Sequence, residues 1–208
     1  EPISSTPVPM QADPKYISAG FIIEEGFSLK DLETIVITMA EEAKKAKVKI
    51  VTGDTKVVNK GKCDKIFINT AGIGELNESH KHIGAGERIQ SGDLIIINGD
   101  LADHSVAVLS AREGLNFDTP IESDCASLNH MIKEVLDANI KVNFMRDATR
   151  GGVASVLCEL AEQKNIGIEL KEENLPLKEA VSGACEIFGF DPLYMANEGK
   201  VLMVVSAI

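Results

Sequence analysis

The stretch RDATRGGVASVL, residues 146–157, joins an apolar strand pattern, Val142 to Met145, to an apolar pattern of helical period. Arg146, Asp147, Thr149, Arg150, Gly151 and Gly152 crowd the junction. A helix start carries unpaired N–H groups and the positive end of the helix dipole. Glycines there let an anion approach the backbone closely. Thr149 can cap the helix or donate to a phosphate, and the two arginines can supply charge-assisted hydrogen bonds. Asp147 would repel a phosphate unless a metal ion lay between them. Alternatively, Asp147 or Thr149 is an N-cap and Arg150 a solvent residue; spacing alone leaves both readings open.

Strands and helices alternate outward from this junction. Downstream, IGIELK (166–171) is expected as a strand, NLPLKEAVSGACEIFG as a helix with Pro176 near its first turn, and KVLMVVSAI (200–208) as a strand. That last strand risks standing as an unpaired edge. Upstream, SGDLIIINGDLADH (91–104) is a strand and a Gly-Asp turn into a helix carrying Val106 and Leu109. Ser123 is expected to cap a helix over 123–139, with Leu128, Ile132, Val135 and Leu136 on one face and His130 on its polar side. Residues 77–90, NESHKHIGAGERIQ, are polar and contain glycine, and read as a linker. His80 and His82 share a face if that segment is a strand, but a solvated loop is the simpler reading.

The first half opens with a Pro-rich lead-in, EPISSTPVPMQADP, expected to be extended. YISAGFIIE (16–24) reads as a strand, and Ser28, with Asp31 three residues on, as the cap of a helix through Ala46. VKIVTGDTKVV (48–58) and KIFINTAGIGEL (65–76) are strands joined by a short polar turn, expected to pair as a hairpin. The mixture of helices with hairpins favours an α+β fold.

Composition bounds the function. The chain has 208 residues and a net charge of −11, which argues against a nucleic-acid partner. No apolar run approaches a membrane span, and no signal peptide is visible. With no tryptophan and 4% aromatic residues, the core must be aliphatic. The four cysteines, at 63, 125, 158 and 185, form no CxxC pair and do not resemble a zinc site. Cys158 reads as a reduced, buried thiol of a cytosolic protein.

Three further clusters could carry chemistry. In TGDTKVV (52–58), strand alternation puts Asp54 and Lys56 on one face and Thr55 on the other. An ion pair on a solvated face is the bland alternative there, and the P-loop pattern is missing. In GDLADH (99–104), Asp103 and His104 could bridge a metal or act as acid and base, although a histidine at a helix start is more often structural. ANEGK (196–200) sets Glu198 beside a permissive glycine. Acids, hydroxyls and glycines with few cations suit Mg²⁺-nucleotide chemistry better than a hydrolase triad.

FIIEEGF, IVTGDTKVV, FINTAGIG, SDCASL, RDATRGGVASVLCELAEQ, GIEL and DPLYMANEGK, in this order, resemble the HypE family of hydrogenase maturation factors. The likeness covers roughly residues 15–208. That family shares a superfamily with aminoimidazole ribonucleotide (AIR) synthetase and selenophosphate synthetase. The resemblance implies a two-domain α+β, AIR synthetase-like fold. An N-terminal α/β domain (1–80) would form a dimeric β-barrel, a C-terminal α+β sandwich (88–208) would follow, and ATP and Mg²⁺ would sit between them. It implies a cytoplasmic homodimer that acts with the carbamoyltransferase HypF and a HypC–HypD complex. The implied reaction is ATP-dependent dehydration of a C-terminal cysteine thiocarboxamide to thiocyanate, the source of cyanide for the iron of [NiFe]-hydrogenase.

Carried over by motif, Asp54 would ligate Mg²⁺ and ATP with Thr55 and Lys56 beside it. Asn69, Thr70 and Gly72 would line the nucleotide site. Arg146, Asp147, Thr149, Arg150 and Gly151 would form a helix-terminus lip, with Asp147 a second metal ligand. Asp103 and His104 would face the cysteine tail, Glu198 would be the base, and Lys56 would assist catalysis. The family's early Gly-rich segment and Asn-Asp dipeptide, and its terminal cysteine, are not present, so a fragment is expected. A selenophosphate synthetase relative and a catalytically silent dimerisation or docking module are the alternative readings.

Overall fold

The computed structural model describes residues 10–114, 121–138 and 140–207; most of the Pro-rich lead-in and the last residue of the expected 123–139 helix lie outside them. The first unit comprises β1 (Asp13–Glu24), α1 (Leu29–Lys45), β2 (Lys49–Val58) and β3 (Ile66–Glu75). Ser28 caps α1 as expected, its Oγ accepting the Asp31 N–H at 3.3 Å. β1 runs parallel to β2 and antiparallel to β3, giving the order β2-β1-β3. The expected β2–β3 hairpin is therefore wrong. The polar turn carries the chain past β1 to its other edge, while α1 makes the crossover that a parallel pair requires. Burial explains the order: Ile17, Ala19 and Ile23 of β1 are buried, whereas β2 is exposed nearly throughout and suits an edge.

The polar segment that follows is neither loop nor strand. It forms a 3₁₀ turn, Glu78–His80, and a short helix α2 (Lys81–Ala85) that buries Ile83. The second unit holds β4 (Leu94–Ile97), α3 (Asp103–Glu113), α4 (Asn129–Asp137), β5 (Val142–Asp147), α5 (Gly152–Lys164), α6 (Glu179–Phe188) and β6 (Val201–Val205). Its sheet is antiparallel with the order β4-β6-β5. β6 is thus the central strand rather than an unpaired edge, because its five apolar residues are buried on both faces. Leu202 and Val204 join Phe144 and the inner sides of α3, α5 and α6 in one core. Val201, Met203 and Val205 face Ile83 of α2 and Leu128 and Ile132 beside and within α4 in the other. The result is a helix–sheet–helix sandwich.

Four local expectations also give way. α4 starts at Asn129, so Ser123 caps nothing, and the segment 121–128 is irregular. Residues 166–171 form no strand, since no strand among the described residues lies beside them to pair with. α6 starts at Glu179 with Lys178 as N-cap, leaving Pro176 ahead of it. Cys158 is exposed, because Val153, Ala154, Val156, Leu157 and Leu160 take the buried side of α5. The two units meet where α4 starts: Asn129 Nδ2 donates to Ala46 O at 2.9 Å, and His130 Nε2 lies 2.8 Å from Lys45 O. His130 is thus an anchor for the end of α1 as well as a surface residue. No helix among the described residues is long and apolar enough to cross a membrane.

Candidate functional site

In the first sheet, Gly20 of β1 pairs with Asp54 of β2 on one side and with Asn69 of β3 on the other. Directly paired residues share a face, and strands lie ~4.8 Å apart, so Asp54 and Asn69 flank a position without a side chain over about 10 Å. Thr52 and Lys56 are on this same open face. Thr55, Thr70 and Gly72 belong to the opposite face, that of buried Ile17, Ala19 and Ile23. The structure therefore divides the residues grouped by motif: Asp54, Lys56 and Asn69 stand together, and Thr55, Thr70 and Gly72 lie behind them. One oxygen of Asp54 accepts the Thr55 N–H at 2.9 Å, and no ion pair joins Asp54 to Lys56 among the described residues. Gly53 holds β2 close to β1: a Cβ there would lie 2.4 Å from Ala19 O.

At the 146–152 junction, Arg146 is engaged by Glu159 at 2.5 Å, and Thr149 Oγ1 donates to Asp147 Oδ2 at 2.8 Å. Neither Asp147 nor Thr149 caps α5; Gly151, with φ 75°, holds the N-cap position without a side-chain bond. Gly152 serves packing, since a Cβ would lie 2.4 Å from Leu193 O. Arg150 is exposed.

His104 and Glu198 come together as a second centre, with Nε2 and Oε1 3.9 Å apart and side chains 15% and 21% exposed respectively. A buried polar frame fixes them. Asn197 is fully buried, accepts the Ala102 N–H at 2.9 Å, and donates to Ala148 O and Met195 O. Asp124 accepts the Glu198 N–H at 3.2 Å and pairs with Lys200 at 2.8 Å. A Cβ on Gly199 would lie 1.8 Å from Asp124 O, so only glycine lets segment 121–128 lie against this loop. Asp103, 4% exposed, pairs with Lys178 at 2.7 Å, and its hydrogen bond raises the Lys178 ammonium above its ordinary titration range. Lys56 makes no polar contact with this centre among the described residues.

Sequence reading missed Ser123, Asp124, Cys125 and Lys200. Ser123 Oγ lies 2.8 Å from His104 Nδ1, and Cys125 Sγ lies 3.9 Å from the same nitrogen. Asp124 and Lys200 lie within SDCASL and ANEGK, two of the stretches that carry the family resemblance, but neither was singled out as a site residue.

For metal, no group of three or more His, Cys, Asp or Glu side chains gathers among the described residues, His80 and His82 included. An all-protein cage is therefore not built. The hard oxygens of Asp54 suit a Mg²⁺ that keeps water and takes phosphate oxygens as its other ligands.

The model of the AIR synthase related protein N-terminal domain matches residues 7–76, and that of the C-terminal domain matches residues 90–207. A carbamoyl dehydratase HypE from Bradyrhizobium diazoefficiens is 46% identical over 94% of this chain and 56% of its own length. A solved HypE–HypF complex aligns at 50% identity and TM-score 0.87 over 95% of this chain and 64% of that one. A HypE solved with ATP aligns at 43% identity and TM-score 0.89, covering 95% and 58%. The chain thus spans a little over half the length of the curated relative. With both domain models matched in order, the chain belongs to the AIR synthase related family, and its likeness within that family is to the HypE hydrogenase maturation proteins.

Proposed function

We propose that this chain is the nucleotide-handling part of a cytoplasmic HypE-type enzyme that uses ATP to dehydrate a cysteine thiocarboxamide during [NiFe]-hydrogenase maturation. The supporting observation is the open row Asp54–Gly20–Asn69, a carboxylate and an amide flanking bare backbone. Asp54 would hold Mg²⁺ and the phosphates, Lys56 would offset phosphate charge, and Asp147 would be a second metal ligand. Mg²⁺ would supply charge neutralisation for the transferring phosphoryl group. Thr55, Thr70 and Gly72 would contribute from behind the row, and Arg146, Thr149, Arg150 and Gly151 from the start of α5.

In the overall reaction the amide oxygen accepts the γ-phosphoryl group and leaves as phosphate. The nitrogen loses both protons, and S–C≡N remains. Glu198 is assigned as the base for an amide proton and His104 as its partner, a role their separation of 3.9 Å allows once substrate lies between or beside them. The division at 1–80 and 88–208 separates the nucleotide row from this base centre.

A homodimer is favoured by the same open face, which exposes Tyr16, Ile22, Phe67 and Ile73 around the polar row. Pairing two such faces would give the dimeric β-barrel expected from the family. HypF and a HypC–HypD complex are the proposed partners; a HypE–HypF complex is known for a relative. The test is calorimetric titration of the chain with ATP, with and without Mg²⁺, beside Asp54→Asn. Mg²⁺-dependent binding that the variant loses is expected. Equal binding by both proteins, or none by either, overturns the assignment of the row.

A further inference from the structure

The four cysteines occupy different surroundings. Cys185 is buried against Met195, and burial pushes its thiol up. Cys63 donates to Ile22 O at 3.7 Å. Cys158 is exposed on α5. Cys125 alone among the described residues has an imidazole within reach of its sulfur: Sγ lies 3.9 Å from His104 Nδ1 and 3.1 Å from Ser123 Oγ, which is itself 2.8 Å from Nδ1. Glu198 stands on the far side of the ring, 3.9 Å from Nε2. Thiol, hydroxyl, imidazole and carboxylate thus follow one another, contributed by three separate segments of chain.

We propose that Cys125 is a nucleophilic thiol activated by His104, a modification site for small thiol-directed electrophiles such as hydrogen peroxide. The proposal goes beyond the dehydration reading and does not depend on it. A carboxylate beside Nε2 favours the tautomer with its proton there, leaving Nδ1 free to accept. The thiol proton passes to Nδ1, directly or through the Ser123 hydroxyl, and the thiolate–imidazolium pair is held by Glu198. The thiolate attacks one peroxide oxygen; an S–O bond forms and the O–O bond breaks. The departing hydroxide takes the imidazolium proton and leaves as water. Sulfur is oxidised by two electrons to the sulfenic acid, and the peroxide is reduced.

The charges around the thiol support this direction. Asp124 is neutralised by Lys200 at 2.8 Å and Asp103 by Lys178 at 2.7 Å. Among the described residues, Glu198 and the exposed Glu122 are the remaining carboxylates near the segment. One residue before His104, Asp103 Oδ1 is buried without a hydrogen-bond partner in the structure, so this corner keeps an unused acceptor.

The experiment is iodoacetamide labelling of the whole chain between pH 5.5 and 8.5, with each cysteine followed by peptide mass spectrometry. A cationic partner that lowers a thiol's titration by about one pH unit raises its thiolate fraction ~10-fold at pH 6.5. It also costs ~3-fold in nucleophilicity, leaving about a 3-fold gain. Cys125 is therefore expected to label about 3-fold more slowly at pH 6.5 in His104→Gln, with Cys158 unchanged. Peroxide followed by a sulfenic-acid probe should tag Cys125 ahead of Cys158 despite the greater exposure of Cys158. Labelling of Cys185 reports any loss of fold in the variant. Should Cys185 become reactive in His104→Gln, Glu198→Gln decides instead, and it must also slow Cys125. A Cys125 rate untouched by the deciding variant, or preferential tagging of Cys158 or Cys63, overturns the proposal. No nucleotide is used, so failure of ATP binding would leave this result standing.

Discussion

Removing one member of the Asp124–Lys200 pair should unfold more than the loop it holds. The two side chains are 3% and 8% exposed and 2.8 Å apart, and Asp124 also accepts the Glu198 N–H. Asp124→Ala strands a buried ammonium, and Lys200→Met a buried carboxylate. Breaking a buried pair from one side costs about 3–5 kcal/mol, whereas replacing both partners with apolar groups costs far less. With a urea dependence of about 2 kcal/mol per M, each single variant should lower the midpoint by about 1.5–2.5 M. The double variant should recover most of that loss. Far-UV circular dichroism is the suitable probe, because the chain has no tryptophan. Single variants that each cost under about 1 kcal/mol, or a double variant equal to their sum, would show that the pair is solvated and that the frame around Glu198 does not rest on it.

Two further outcomes follow from the geometry. Gly53→Ala should destabilise the first sheet by about 1–3 kcal/mol or more, since the new Cβ meets backbone Ala19 O rather than a mobile side chain; a thermal melt unchanged from the parent would refute the close approach. The Lys178 ammonium is raised above 10.5 chiefly by its hydrogen bond to Asp103, so its contribution to stability is complete below that pH and is lost as pH rises through the folded value. Urea midpoints measured from pH 9 to 11 should therefore fall more steeply for the parent than for Asp103→Asn, and parallel curves would refute the linkage.

The elements were legible where side-chain period matched burial. The Ser28 cap, the α1 pattern and the apolar run of β6 all predicted what forms. Pairing was less legible. Whether β2 turns back on β3 or crosses β1 depends on which strand has a buried face, and the turn between them is compatible with either. Likewise, five apolar residues in β6 fit an edge or a centre until β4 and β5 are placed on its two sides. Ser123 shows a different limit. A serine ahead of an apolar helical pattern is a good cap by local rules, but its hydroxyl meets His104, nineteen residues earlier in the chain. The His104–Glu198 pair is likewise built from contacts between distant segments, so its residues carried only weak signals. Asp54 and Lys56 were placed on one face correctly by alternation alone, because strand period is a local property.

The position of β6 also sets an order of events during synthesis. Among the described residues, Leu94 to Ile97 finds its strand partner in Leu202 to Val205, roughly a hundred residues later, and β5 likewise pairs with β6 rather than with β4. At about 5–20 residues per second, β4 would wait some 5–20 s after translation for the strand that completes its ladder. Through that interval LIII emerges from the ribosome as an apolar segment with unmet backbone groups, the state that holding chaperones recognise. The first sheet, whose three strands lie within Asp13–Glu75, has no such delay. Its ladder can close while the second unit is still being made, so the nascent chain would acquire the Asp54–Gly20–Asn69 row before the His104–Glu198 pair.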